Sequence, residues 1–195
     1  GGLLVANQGL PEIEARTDAE GQVELVLTLL RCVGWLSRGD LRSRRGHAGP
    51  PLPTPAAQMI GRWAFRYSLI PYTDRWGAIR EAQRFQAPPL AGAGPGRLPE
   101  RPFLEVEPAA LVLTAVKAPG EGEGLIVRGY NAAEEAIRVR LTFWRPVQAA
   151  WRANLMERPQ EPLRPEGPSL TFRARPKEIV TVWAALAPLP RHPES

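Results

Sequence analysis

The sequence predicts an all-β protein, an antiparallel β-sandwich of the supersandwich kind with one short helix and long proline- and glycine-rich loops. Two observations carry the prediction. Apolar and polar residues alternate with period two over residues 22–30, 62–70 and 136–144, and a strand with one buried and one solvated face produces that pattern. Between such runs, 22 prolines and 18 glycines punctuate the chain, which suits turns and irregular connections better than long helices.

Each run has its own signature. Over 22–30, Val23, Leu25, Leu27 and Leu29 share one face, opposite Gln22, Glu24 and Thr28. Over 62–70, Trp63, Phe65, Tyr67 and Leu69 alternate with Arg62, Ala64, Arg66 and Ser68, so an aromatic face is expected inside and an arginine face in water. Ile137, Val139, Leu141 and Phe143 repeat the pattern against Arg138, Arg140 and Thr142. Shorter runs predict further strands at 2–6, 110–117, 124–130, 150–156, 168–173 and 178–185. The glycine-rich connection at 117–125 reads as a hairpin. Residues 129–135 read as a turn, in which Asn131 suits local side-chain bonding or positive φ.

One helix is expected, at 73–86. Thr73 can cap it, Asp74 favours its positive end, and Trp76, Ile79, Ala82 or Gln83, and Phe85 approximate one face. Residues 87–102 are too rich in proline and glycine for regular structure. The expected organisation is a single sandwich domain over 1–195, with a lobe at 1–86, a crossover at 87–102, a second lobe at 103–187 and a tail at 188–195. A chain of this length can bury a substantial core.

Charge and cysteine narrow the function. The formal net charge is +5, yet lysine occurs only at Lys117 and Lys177 and the arginines are interleaved with acids. That spread argues against a nucleic-acid partner. No apolar run is long enough to span a bilayer, and no signal peptide is visible, so no membrane partner is expected. The single cysteine, Cys32, implies a reducing compartment and a cytoplasmic location. Its neighbours Leu30, Val33 and Trp35 predict a buried, structural thiol. The opening Gly1-Gly2-Leu3-Leu4, without an initiator methionine, suggests a piece of something longer. Homo-oligomerisation stays open.

No complete catalytic constellation is present. His47, His192 and Cys32 lack metal-ligand spacing. A triad of His47 and Asp40 with Ser37 or Ser43 has no nucleophile-elbow context. The pairs Glu134/Glu135 and Glu105/Glu107 fall in a turn and on a strand face, where solvated charge is the ordinary role. Glu121–Gly124 lacks the lysine and helix of a phosphate loop. The strongest local cluster is Arg38, Asp40, Arg42, Arg44 and Arg45, between an apolar strand and a run rich in proline. Arginine's planar fork suits carboxylates, phosphates, sugar hydroxyls or a protein surface.

Several strings also look familiar as a set. Val5–Glu12, the run Leu29-Leu30-Arg31-Cys32-Val33-Gly34-Trp35-Leu36-Ser37-Arg38-Gly39-Asp40-Leu41, Gly46–Pro50 and Pro53–Gln58 resemble the C-terminal β-domain of glycoside hydrolase family 38, the retaining α-mannosidases, in its bacterial branch. Leu125–Asn131, Ala153–Glu157 and Arg175–Thr181 resemble that family's closing strands. The resemblance implies a β-sandwich that supports and partly lines a carbohydrate cleft, with an α-mannoside or another glycan as substrate. It also implies a partner outside this chain, an N-terminal catalytic domain holding the aspartate nucleophile and zinc or another divalent metal. No catalytic residue, metal ligand or cofactor is assigned within these 195 residues, and the isolated chain is expected to be inactive. Arg38 and Asp40 are the candidates for substrate contact. Two other classes remain: an autonomous carbohydrate-binding module stacking sugar on Trp76, Trp144 or Trp151, and a protein-interaction or assembly domain.

Overall fold

Alternation along residues 137–143 becomes a strand in which Val139, Leu141 and Phe143 are buried while Arg138 and Arg140 stay exposed. The same rule organises most of the second half of the chain. The computed structural model describes residues 1–92 and 101–188. They group into two compact units, one of residues 3–71 with 82–88, the other of 1–2, 72–81 and the described residues from Pro89 onward.

The first unit is built from short pieces. Strand β1 (Gly2–Gln8) pairs with β6 (Arg66–Tyr72), and β2 (Ile13–Thr17) forms an antiparallel hairpin with β3 (Val23–Leu27). β4 (Asp40–Leu41) and β5 (Arg44–Arg45) make a two-residue-per-strand hairpin, and a 3₁₀ turn covers Pro55–Gln58. Helix α1 (Arg75–Gln86) follows β6, and its residues from Ala82 onward belong to this unit. Its cap is Asp74, not Thr73: the two carboxylate oxygens accept the backbone N–H groups of Trp76 and Gly77, each at 3.0 Å. Each carboxylate oxygen thereby satisfies one of the N–H groups left unpaired at the helix start. The C-terminal turn of α1 is tied to β1, because Gln8 Nε2 donates to Phe85 O at 2.6 Å and Gln86 Nε2 donates to Asn7 O at 3.2 Å.

In this unit the expected burial fails. Val23 is 70% exposed, Leu69 57% and Trp63 49%, although these residues lie on the apolar faces assigned to the interior. The two-stranded β1–β6 and β2–β3 sheets border one shared hollow with these faces and leave it unfilled. Leu3, Val23, Leu25, Leu29, Tyr67 and Leu69 therefore line an open apolar groove of about 670 Å³. Cys32 is exposed as well. β3 ends at Leu27, so Leu30, Cys32, Val33 and Trp35 lie outside any strand, on an irregular and solvated segment.

The second unit is a two-layer sandwich. Its four-stranded sheet runs β13 (Pro165–Glu166), β14 (Ser169–Ala174), β10 (Ile137–Phe143), β7 (Leu104–Glu107). The five-stranded sheet runs β12 (Pro159–Leu163), β11 (Val147–Ala153), β15 (Ile179–Leu186), β9 (Leu125–Asn131), β8 (Leu111–Lys117). Paired neighbours are antiparallel throughout. Val139, Leu141, Phe143, Leu170 and Phe172 of one sheet meet Val127, Val147, Val180 and Val182 of the other in one cluster, the interdigitated core of a β-sandwich. Each such side chain is worth roughly 1.5–3 kcal/mol removed from water.

Two details hold the sandwich in register. Asn131, fully buried, donates from Nδ2 to Glu135 O at 2.7 Å and Arg175 O at 2.9 Å, while its Oδ1 accepts Ala133 N–H at 2.9 Å. It bonds locally and does not adopt positive φ. At Gly129 a Cβ would sit 2.7 Å from Val112 O, so β8 and β9 approach as closely as they do only without a side chain. The hairpin expected at 117–125 joins these two strands. The expected crossover at 87–102 lies partly outside the described residues, and most of the tail at 188–195 lies outside them too.

Candidate functional site

Residues 33–54 leave the first unit as a closed loop whose two limbs bond to each other. Leu36 N–H donates to Leu52 O at 2.8 Å, Thr54 N–H to Gly34 O at 2.9 Å, and Thr54 Oγ1 to Val33 O at 3.0 Å. Trp35 bridges Pro53 between them. Pairing of this kind satisfies the loop's backbone without a sheet, and Pro50, Pro51, Pro53 and Pro55 stiffen the return limb. Ser37 is the latch. It is 7% exposed, and its Oγ accepts Ala48 N–H at 3.0 Å and Gly49 N–H at 3.2 Å.

The loop walls a recess of about 600 Å³ lined by Trp35, Ser37, Arg38, Asp40, Gly46 and His47, among others. Arg38 and Asp40 form a fork-to-carboxylate pair, Nε to Oδ1 at 2.9 Å with a second bond from the terminal nitrogen to Oδ2. The hydrogen bonds from Arg38 hold the Asp40 carboxyl below the usual carboxylate range, with a smaller contribution from His47, and the same pair raises the Arg38 guanidinium. Both side chains are more than half exposed. Each keeps donors or acceptors free toward solvent while the partner fixes its orientation. His47 packs against Gly39, where a Cβ would lie 2.9 Å from Nε2, so glycine makes room for the imidazole. Trp35 is 47% exposed at the rim.

The recess therefore brings together an indole face, a guanidinium, a carboxylate and an imidazole. This mixture suits a polyhydroxylated ligand, because sugars present both an apolar C–H face and hydroxyl groups that donate and accept. It holds no nucleophile with its base: Ser37 Oγ is engaged by two backbone donors, and no hydrogen bond joins His47 to Ser37, Ser43 or Asp40 among the described residues. Among those residues His, Cys, Asp and Glu form no group of three or more.

Other expected positions fall elsewhere. Trp144 stacks on Phe103 with centroids 5.7 Å apart, and Trp151 meets the edge of Trp183 at 5.2 Å. Both are half-buried, as is Trp76, so none is an open stacking platform. Trp35 takes that position instead, hidden in the sequence by apolar neighbours that suggested burial. Glu134 pairs with Lys177 at 2.7 Å, and Glu105 and Glu107 lie exposed on β7. Arg42, Arg44 and Arg45 are exposed along the β4–β5 hairpin.

Comparison with known proteins places the fold. Residues 110–182, which run from just before β8 into β15, match the family model described as the glycosyl hydrolases family 38 C-terminal beta sandwich domain. A Halalkalibacterium halodurans protein named as a mannosylglycerate hydrolase is 30% identical over 193 residues, covering 93% of this chain and 19% of that protein. Two solved Enterococcus faecalis structures, one described as a glycosyl hydrolase family 38 protein and one as an alpha-mannosidase, are each 28% identical with a TM-score of 0.66. They cover 93% of this chain and 20% and 19% of theirs. The chain spans about one fifth of the length of these relatives. No helix among the described residues is long and apolar enough to cross a membrane. The sandwich of the second unit thus matches the C-terminal β-sandwich domain of glycosyl hydrolase family 38, and the chain as a whole is similar to the C-terminal part of proteins described as members of that family.

Proposed function

We propose that this chain supports, and through the 33–54 loop partly lines, the glycoside cleft of a family 38 catalytic domain that acts on α-mannosides. The observation that carries the reading is the recess itself: Trp35 exposed at its rim beside the fixed Arg38–Asp40 pair. A sugar laid on the indole would bring its hydroxyls to a guanidinium that donates and a carboxylate that accepts. The relatives support it, since one is named for mannosylglycerate and another for α-mannoside hydrolysis. The open apolar groove of the first unit supports a large covalent partner, because an apolar face of this extent is normally covered. Catalysis belongs to that partner. Zinc or another divalent metal would supply Lewis-acid chemistry there, and among the described residues of this chain no group of His, Cys, Asp and Glu could hold it.

The test is a chimaera. The corresponding C-terminal segment of the Enterococcus faecalis alpha-mannosidase is replaced by this chain, and aryl α-mannoside hydrolysis is followed. Arg38→Ala and Asp40→Asn are expected to raise KM about tenfold with the fold intact, roughly 1.4 kcal/mol of lost substrate binding. Unchanged kinetics in both folded variants would overturn the reading. The exposed indole of Trp35 also favours a second reading, a self-sufficient carbohydrate-binding module. Calorimetry of the chain with mannose oligosaccharides separates the two, because only a module gives saturable heat with neutral sugar in the absence of the catalytic domain.

A further inference from the structure

The outer face of the four-stranded sheet gathers positive charge that its neighbours do not neutralise. Arg138 and Arg140 alternate with Val139 along β10, so both stand exposed on the face opposite the core. In register, Arg138 lies across from Arg173 of β14, and Arg140 lies between Thr171 of β14 and Glu107 of β7. Like charges directly opposite one another destabilise a sheet. Arg80 joins them from α1, in the half of the helix that belongs to the same unit as the sheet.

Arg80, Glu107, Arg138, Arg140 and Thr171 line one recess of about 570 Å³. The side chains of Arg80, Arg138 and Glu107 make no hydrogen bond or ion pair among the described residues. Arg140 Nη2 donates to Ser169 Oγ at 3.2 Å, which anchors one corner of the guanidinium and leaves its other N–H groups free. On the five-stranded sheet, by contrast, Arg128 lies 3.7 Å from Glu157 and Arg152 lies 2.9 Å from Glu178. Glu107 stands directly opposite Arg140 and forms no such pair.

We propose that this recess binds inorganic phosphate as its singly protonated dianion, with Arg80, Arg138 and Arg140 donating to its oxygens and Glu107 accepting its P–OH. Three guanidinium groups and one carboxylate leave two positive charges in the lining, and a dianion neutralises them. Guanidinium forks meet phosphate oxygens with paired N–H donors. Glu107 would repel most anions, but hydrogenphosphate keeps one O–H and turns that carboxylate into a hydrogen-bond acceptor for the ligand. Sulfate and the dianion of a phosphate monoester have no such proton, so the lining selects free phosphate. Binding also offsets the repulsion between Arg138 and Arg173. Nothing in this site depends on the loop at 33–54.

The recess lies within one unit, so the experiment is an NMR titration of the isotopically labelled 195-residue chain. Phosphate, sulfate, methyl phosphate and a glutamate-rich peptide are added in turn at mildly alkaline pH, with ionic strength held constant by sodium chloride. Phosphate is expected to shift the amides of residues 106–109, 138–140 and 171 saturably, and to bind about tenfold more tightly than sulfate or methyl phosphate. Arg80→Gln and Arg138→Gln are each expected to weaken phosphate about tenfold. Glu107→Gln is expected to bring sulfate level with phosphate. Dispersed, unshifted amides from β15 verify that each variant is folded. Absence of a saturable shift at these residues overturns the proposal, as does equal binding of phosphate and either comparison anion. A preference that survives Glu107→Gln overturns it too. Displacement of phosphate by the peptide at lower concentration would replace it with a docking face for an acidic protein.

Discussion

Replacing Asn131 by aspartate changes one atom, an amide nitrogen to an oxygen, at the most polar point of the sandwich core. In the protein that nitrogen donates to Glu135 O at 2.7 Å and Arg175 O at 2.9 Å, with Ala174 O a further 3.4 Å away. The substitution removes two good donated bonds, about 1–1.5 kcal/mol each. It also turns an oxygen toward three carbonyl oxygens in a fully buried site. An ionised carboxylate there is disfavoured by desolvation and by those dipoles, so its pKa rises above the unfolded value of about 3.9. A rise of about two units adds about 2.7 kcal/mol at neutral pH, for a total near 5 kcal/mol. That approaches the whole stability of a small domain.

The pH dependence distinguishes this account from simple loss of packing. Because the folded pKa is the higher one, the deficit is smallest below the unfolded value. It grows as pH rises through the folded value, and is constant above it. Protonation also restores one donor toward a carbonyl. Urea unfolding followed by tryptophan fluorescence, on wild type, Asn131→Asp and Asn131→Ala from pH 4 to 8, reads the effect directly. The aspartate variant should fall below the alanine variant at pH 7 and rise above it near pH 4. A deficit under about 1 kcal/mol at pH 7, or one that does not vary with pH, would show that the amide does not organise this turn as described.

Two further outcomes follow from the same sandwich. Gly129→Ala places a methyl 2.7 Å from Val112 O and 3.5 Å from Leu113 Cα, and this β8 backbone has little room to yield. A loss of about 1–3 kcal/mol in urea unfolding is expected, and a neutral result would mean that β8 and β9 can separate freely. Glu157 accepts from Lys117 at 2.6 Å and from Gly120 N–H at 2.8 Å, the Lys117 bond first and the Gly120 bond second holding its carboxyl below the ordinary glutamate value of 4.5. That contribution is complete above the ordinary value and disappears as pH falls through the lowered one. Unfolding measured from pH 6 down to pH 2 should therefore be steeper for wild type than for Glu157→Gln, and superimposable curves would contradict it.

Periodicity was legible wherever a strand had a partner layer within the chain. Val139, Leu141 and Phe143 alternate in the sequence and are buried in the structure, and the expected strands at 110–117, 124–130, 168–173 and 178–185 fall within a residue or so of β8, β9, β14 and β15. The same alternation misled at Val23 and Leu69, because a pattern states which face is apolar and not what covers it. Other strands carried too little signal. β2 reads Ile-Glu-Ala-Arg-Thr, an alternation with a single large apolar residue that is too short and too weak to stand out, and the prolines of β12 read as loop. At the site, the arginine cluster and the family resemblance pointed to the loop, but the roles within it depended on tertiary contacts. Ser37 lacks a nucleophile-elbow context in the sequence, and only the fold reveals which groups it holds, the backbone amides of Ala48 and Gly49. Trp35 entered the sequence reading only as an apolar neighbour of Cys32, and it stands half exposed at the rim.

The outermost strands of the sandwich have a consequence for how this protein associates with itself. β12 sits at one edge of the five-stranded sheet with Pro159 and Pro162 in its ladder, and β8 at the other edge shifts register between Leu113 and Ala115. In the four-stranded sheet one edge is the two-residue β13, which begins at Pro165, and the other is the four-residue β7, which Pro108 follows. Missing N–H donors, a bulge and short length are each obstacles to adding a strand from another molecule. The sandwich is thus protected against sheet-to-sheet polymerisation. Aggregation of this chain would begin at the uncovered Ile13 of β2 and Val23 and Leu25 of β3, which makes a hydrophilic substitution at Val23 the first one to try for improving solubility.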